Sequence, residues 1–202
     1  MIGTATQDVG RRGAPHRVAA ARIVIVALVA ALALARPVAG HEAERFEART
    51  GIDLAYAGAQ SWAQDAVLVY VENDEPLDAQ GAAERWGYLF YSPTSKKARA
   101  YSIRAGKILV AENLEIKIEP PPVADGWIDS GAALAVAEKD AGRAFRHAHG
   151  GWLSTMLLMR SAFQDSDPDE TTWTFVYEAT DGPSLFVVVD AAQGKVRRTW
   201  RG

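Results

Sequence analysis

Hydrophobic and polar positions change period several times along the chain, and each change marks an element. Residues 23–35 (IVIVALVAALALA) are apolar without interruption. Beyond residue 40 the pattern becomes mixed. Residues 41–50 (HEAERFEART) predict a short helix that Gly51 interrupts, and residues 54–66 continue it with alanines and Trp62 at helical spacing. Residues 67–71 (VLVYV) switch to β-branched and aromatic character, which predicts a strand closed by Asn73, Asp74, Glu75 and Pro76. Residues 85–91, 98–104 and 108–112 predict three more strands, with turns at 92–95 and 105–107. A second helix is expected over 130–147, capped by Asp129 and Ser130 and stopped by Gly150 and Gly151. Strands follow at 152–159, 171–179, 185–190 and 195–200, separated by an acidic loop at 165–170 and turns at 180–183 and 191–194.

The order of helix and meander occurs twice. Trp86-Gly-Tyr-Leu-Phe-Tyr in the first stretch answers Trp173-Thr-Phe-Val-Tyr in the second. Gly106-Lys107 and Gly194-Lys195 follow those tryptophans by 20 and 21 residues, which points to an internal duplication. The expected fold is therefore α+β, with two tandem repeats, each a helix packed on an antiparallel β-meander. Residues 41–119 form the first repeat and residues 129–202 the second. Residues 120–128 join them, and Pro120, Pro121 and Pro122 make that linker stiff and extended.

The second stretch carries an alanine-rich helix, then Trp173-x-Phe-Val-Tyr, then an apolar strand ending Asp190-Ala-Ala-Gln-Gly194-Lys-Val. Over residues 129–200 it resembles the PepSY family, whose modules occur in protease propeptides and as free-standing exported domains. The first stretch matches more loosely, since Arg104-Ala105-Gly106-Lys107 lacks the aspartate of that turn. The resemblance implies a helix on an antiparallel sheet and a binding or inhibitory role without catalysis. The turn also has a direct physical account. Asp190 can accept hydrogen bonds from amides two residues on, and Gly194 can adopt positive φ.

Composition adds an expectation about location. Arg11, Arg12, Arg17 and Arg22 precede the 13-residue apolar run, which is short of the roughly 20 residues that span a bilayer. Residues 1–40 thus read as a secretory signal, cleaved after Gly40 or after Ala35, or else retained as an anchor. A periplasmic or secreted protein is expected, with membrane contact only through an uncleaved signal. Without residues 1–40, 17 Lys and Arg remain against 24 Asp and Glu, a net charge of −7. That balance disfavours nucleic acid as a partner. The chain has no cysteine, which excludes thiolate chemistry, disulfides and a lipidated cysteine, so a hydrophobic core must hold the fold.

Candidate chemistry is sparse. No G-x-S-x-G or phosphate-binding glycine loop occurs, and the acidic loop lacks the glycine of a calcium loop. A non-enzymatic protein without cofactors is expected. His147 and His149 stand at a helix end, where imidazole suits the helix dipole. Cleavage after Gly40 would make His41 the terminal residue, able to chelate copper through its amine and ring. His41, His147 and His149 are therefore the alternative, a copper or small-ligand carrier.

Surface is what remains. Trp86, Tyr88 and Phe90, like Trp173, Phe175 and Tyr177, share one sheet face and are expected under the helices. The opposite face still carries Leu89, Tyr91, Leu157, Met159, Val176, Phe186 and Val188, where a single-layer sheet is normally polar. Two readings are open: the repeats or subunits cover each other there, or the face accepts another exported protein or peptide.

Overall fold

The computed structural model describes residues 44–160, 162 and 169–202. Its elements are α1 (Ile52–Trp62), β1 (Val67–Asn73), β2 (Arg85–Ser92), β3 (Lys97–Arg104) and β4 (Lys107–Leu114), followed by α2 (Ser130–Ala137), a π-helical turn (Glu138–Gly142) and α3 (Arg143–His149), then β5 (Trp152–Arg160), β6 (Thr171–Glu178), β7 (Leu185–Asp190) and β8 (Lys195–Arg201). The eight strands form one antiparallel sheet in the order β4-β3-β2-β1-β5-β6-β7-β8. Residues 41–202 make one compact unit that holds every described element.

The expectation of two tandem helix-on-meander repeats is thereby corrected. The protein is mostly β, a single continuous sheet with two helical stretches on one face. The reason lies at β1 and β5. Each would be an unpaired edge in a separate module, and they pair with each other at Tyr70–Met159, Val71–Leu158 and Glu72–Leu157. The core is continuous as well. Trp86 and Trp173 meet edge to face at 6.3 Å, and Trp127 stands on Trp173 at 5.8 Å. One buried cluster runs from Ala55 and Ala59 of α1 to Ala133, Ala137 and Phe145 of the second helical stretch.

Small residues let the helices lie close to the sheet. A Cβ on Gly58 would stand 2.9 Å from the Tyr101 ring, and one on Gly142 would stand 2.3 Å from Tyr177 Oη. Tyr101 donates to the Gly58 carbonyl at 2.9 Å. The Tyr177 hydroxyl is buried beside the π-helical turn without a hydrogen-bond partner among the described residues. Asp129 caps α2 through Ser130 N–H, Glu47 accepts from Gly131 N–H at the same helix end, and left-handed Gly150 closes α3.

The short helix expected over 41–50 does not form in the part described, residues 44–50. Phe46 instead bridges Ala83, the Trp86 indole donates to the Phe46 carbonyl, and Tyr88 donates to the Ala48 carbonyl. Those long-range bonds occupy the backbone groups that a helix would need.

Candidate binding face

Because both helical stretches lie on one face, the other face of the sheet is free of helices. Alternation fixes what points there: Tyr70 and Glu72 of β1, Leu89 and Tyr91 of β2, Leu157 and Met159 of β5, Thr172, Thr174 and Val176 of β6, and Phe186 and Val188 of β7. All seven apolar residues singled out by alternation share this face. Their environments divide at the seam between β1 and β5.

Over β1–β3 the chain covers its own sheet. A second cluster joins buried Val69, Tyr91 and Ala98 to Tyr70, Leu89, Leu114 and Ile116. Leu114 ends β4 and Ile116 lies just beyond it, so the chain leaving β4 folds back beneath the sheet. Burial raises the Tyr91 pKa, and nearby Glu119 raises it further. The Val123 N–H then bonds the Leu68 carbonyl at 2.8 Å, beyond the last β1–β5 pair. Ala124 N–H reaches Thr171 Oγ1, and Trp127 enters the core on the helix side. Residues 120–128 therefore pass from one face to the other around the end of β5. Arg49 fixes the arrival, its guanidinium over the Trp127 ring at 4.5 Å.

Over β5–β8 the face is built differently. Leu157, Met159, Val176 and Phe186 are half-buried, and Val188 is buried. Phe186 stacks on Trp200 with ring centroids 4.9 Å apart and an angle of 6°. Arg198 lies over the outer ring of that pair, 4.9 Å from the Trp200 centroid. Thr172 and Thr174 are buried on the same face, and their hydroxyls have no hydrogen-bond partner among the described residues. Trp200, Thr172 and Thr174 did not stand out in the sequence. Their signal is the same alternation, which puts Trp200 beside Phe186 and the threonines beside Leu157 and Val188.

Polar groups gather around the end of β1. Tyr70 donates to Glu72 at 2.6 Å, Ser102 donates to Asp74, and Arg85 lies 3.7 Å from Asp74 and 3.1 Å from Glu75. Burial pushes the Glu72 carboxyl upward, against the Tyr70 hydrogen bond and with help from Asp74. Burial likewise raises Asp74, against Ser102 and Arg85. The Asn73 side chain completes the ladder, accepting from Met156 N–H at 2.7 Å and donating to the Ser154 carbonyl at 3.3 Å. These groups pair with one another, except Arg85 Nε, which has no hydrogen-bond partner among the described residues. The two described histidines lie on the helix side, away from Ser102 and Asp74.

His147 and His149 diverge on α3, and the His149 ring sits against Phe145 and within 3.1 Å of Arg201 Nη1. A neighbouring guanidinium opposes a bound cation. His41 lies outside the described residues, as does most of the acidic loop at 165–170. Among the described residues no group of three His, Cys, Asp or Glu side chains could hold a metal ion. No described helix is long and apolar enough to cross a membrane. At the end of β7, Asp190 accepts from Ala192 and Gln193 N–H and pairs with Arg197 at 2.5 Å, while Gly194 takes φ 63°. Burial alone would raise Asp190. The two amides and Arg197 outweigh it and hold the carboxyl below its ordinary value.

No protein-family model matches the chain, and no curated protein matches it either. Its architecture is similar to that of a crystal structure from Clostridium difficile 630, described as that of a "putative lipoprotein". The TM-score is 0.55 at 13% identity, over 80% of this chain and 97% of that one. At such identity the likeness defines a class of fold and nothing finer.

Proposed function

We propose that this protein is a non-catalytic binding module outside the cytoplasm, and that the helix-free face of β5–β8 is its recognition surface. The observation that carries the proposal is the row of half-buried Leu157, Met159, Val176 and Phe186, with Trp200 stacked on Phe186. Large aromatic and aliphatic side chains in a shallow patch are the usual anchors of protein recognition. The partner is another exported protein or peptide, with a protease among the candidates and the module as inhibitor or chaperone-like companion. The resemblance of residues 129–200 to PepSY modules supports that class of partner.

Export rests on the basic and apolar residues 1–40 and fits the lipoprotein description of the C. difficile neighbour. This chain has no cysteine to lipidate, so its location would follow from the signal alone.

Affinity capture tests the reading. Residues 41–202 are used as bait against an envelope extract, beside a Val176→Glu/Phe186→Glu variant and a Lys139→Glu control on the helix side. Both variants must first match the wild-type circular dichroism. A partner held by wild type and control and lost by the double variant supports the reading. A partner held equally by all three places recognition elsewhere. Turnover of substrates in a hydrolase panel would refute the non-catalytic part.

A further inference from the structure

The two edges of the sheet are built in opposite ways. β8 carries Lys195, Arg197, Arg198 and Arg201 among seven residues, so two such edges repel each other. β4 reads Lys107-Ile-Leu-Val-Ala-Glu-Asn-Leu114, with Ile108, Leu109 and Val110 37%, 51% and 37% exposed. Among the described residues neither Lys107 nor Glu112 has an ion-pair partner. An edge whose middle, Ile108 to Val110, is apolar and exposed is a template for another strand.

We infer that β4 pairs with β4 of a second copy, antiparallel about a two-fold axis normal to the sheet, joining two eight-stranded sheets into one. Charge complementarity selects the register: Lys107 opposite Glu112 of the other copy, Ile108 opposite its Ala111, and Leu109 and Val110 at the axis. In a regular strand this register fails. Residues five apart point to opposite faces, and opposed residues in a continuous sheet must share a face. The bulge removes the conflict. Val110 opposes Ser102 while Ile108 opposes Ile103, so Leu109 is one residue in excess. Lys107, opposite Arg104, and Glu112, opposite Ala100, consequently share the helix-free face. Ile108 and Ala111, opposite Ile103 and Tyr101, share the helix face. Arg99 donates to the Ala111 carbonyl at 3.1 Å, and that oxygen retains a second lone pair for the new ladder.

A ladder of six residues buries well under the roughly 1,000 Å² of a tight interface, so the dimer is weak, with Kd on the order of tens of micromolar or higher. This dimer is independent of the recognition surface on β5–β8. Sedimentation of residues 41–202 from about 5 to 500 μM tests it. The wild type is expected to shift from monomer towards dimer. Lys107→Glu places carboxylates opposite each other twice per dimer and weakens it by about tenfold or more. The swap Lys107→Glu/Glu112→Lys restores the wild-type Kd to within about threefold. All three positions of failure are decisive. A monomer at every concentration, a dimer indifferent to Lys107→Glu, or a swap that does not restore association would each overturn the assignment.

Discussion

Replacing Trp173 by Phe tests whether the sheet unfolds as a unit. Trp173 is fully buried between Trp86 and Trp127, and its indole donates to the Ile128 carbonyl at 2.8 Å. Truncating a buried Trp to Ala costs about 3–5 kcal/mol, so trimming it to Phe costs about 1–2 through lost contacts. The Ile128 carbonyl also loses its donor, which adds about 1–2 kcal/mol. A total of roughly 2–4 kcal/mol is a large part of an ordinary domain's 5–15. In a chain of this size it lowers Tm by about 5–15 °C. Urea and thermal melts would be followed by far-UV circular dichroism, which reports the whole sheet, and by tryptophan fluorescence. One coincident transition is expected in wild type and variant, displaced as a whole. Two transitions, of which Trp173→Phe moves only one, would refute the argument that the three β1–β5 pairs and the tryptophan stack bind both halves into a single cooperative core.

Other positions give sharper local tests. Asn73→Ala leaves Met156 N–H without its acceptor and should cost about 1–3 kcal/mol in a chemical melt; a change below about 0.5 would remove Asn73 from the seam. Ala105 holds φ 47° in the two-residue turn between β3 and β4, so Ala105→Gly should stabilise by about 0.5–1 kcal/mol, read as a raised Tm. Gly142→Ala puts a methyl group against Tyr177 Oη and should lower Tm, whereas Tyr177→Phe removes an unpartnered buried hydroxyl and should be neutral or better. Glu72 has a raised carboxyl pKa in the folded state, so its ionisation above that pKa opposes folding, and the loss is recovered as pH falls towards the ordinary value of about 4.3. Glu72→Gln should therefore gain stability over wild type at pH 7, by an amount that shrinks towards pH 5. A difference independent of pH would sink that account.

Local chemistry made most of the elements legible. β-branched and aromatic runs such as 67–71 and 171–179, bounded by turn residues, lie where β1 and β6 form, and alanine spacing foretold both helical stretches. The failures lie where distant residues outbid local preference. Residues 44–50 have helical composition, yet Ala83, Trp86, Tyr88 and Ser130 take their backbone groups. Separate repeats were expected because nothing in a strand's own pattern names its second neighbour. β1 is β-branched and apolar on both faces, which fits a central strand as well as an edge. Pairing with β5 was a choice made by the two exposed edges together, and only a folded chain displays it.

The candidate face was legible as an anomaly and not as a surface. Alternation placed seven apolar side chains where polar ones belong, but could not say which were already covered. The stretch after β4 decides this for the first half. Ile116 continues the alternation of β4 past its last pairing at Leu114, and Pro120, Pro121 and Pro122 then keep the chain extended, so it lies under Tyr91 and Val69 before turning to the helix side at Trp127. Leu89 and Tyr91 are therefore occupied by the chain itself. Val188 is buried too, and Leu157, Met159, Val176 and Phe186 are half-buried like Leu89 but, unlike it, lie outside the cluster of Val69, Tyr91 and Ala98. An even covering would have been expected if the apolar face served folding alone. The four half-buried side chains, with Trp200 stacked on Phe186 at their outer margin, are the observation on which the proposed recognition surface rests.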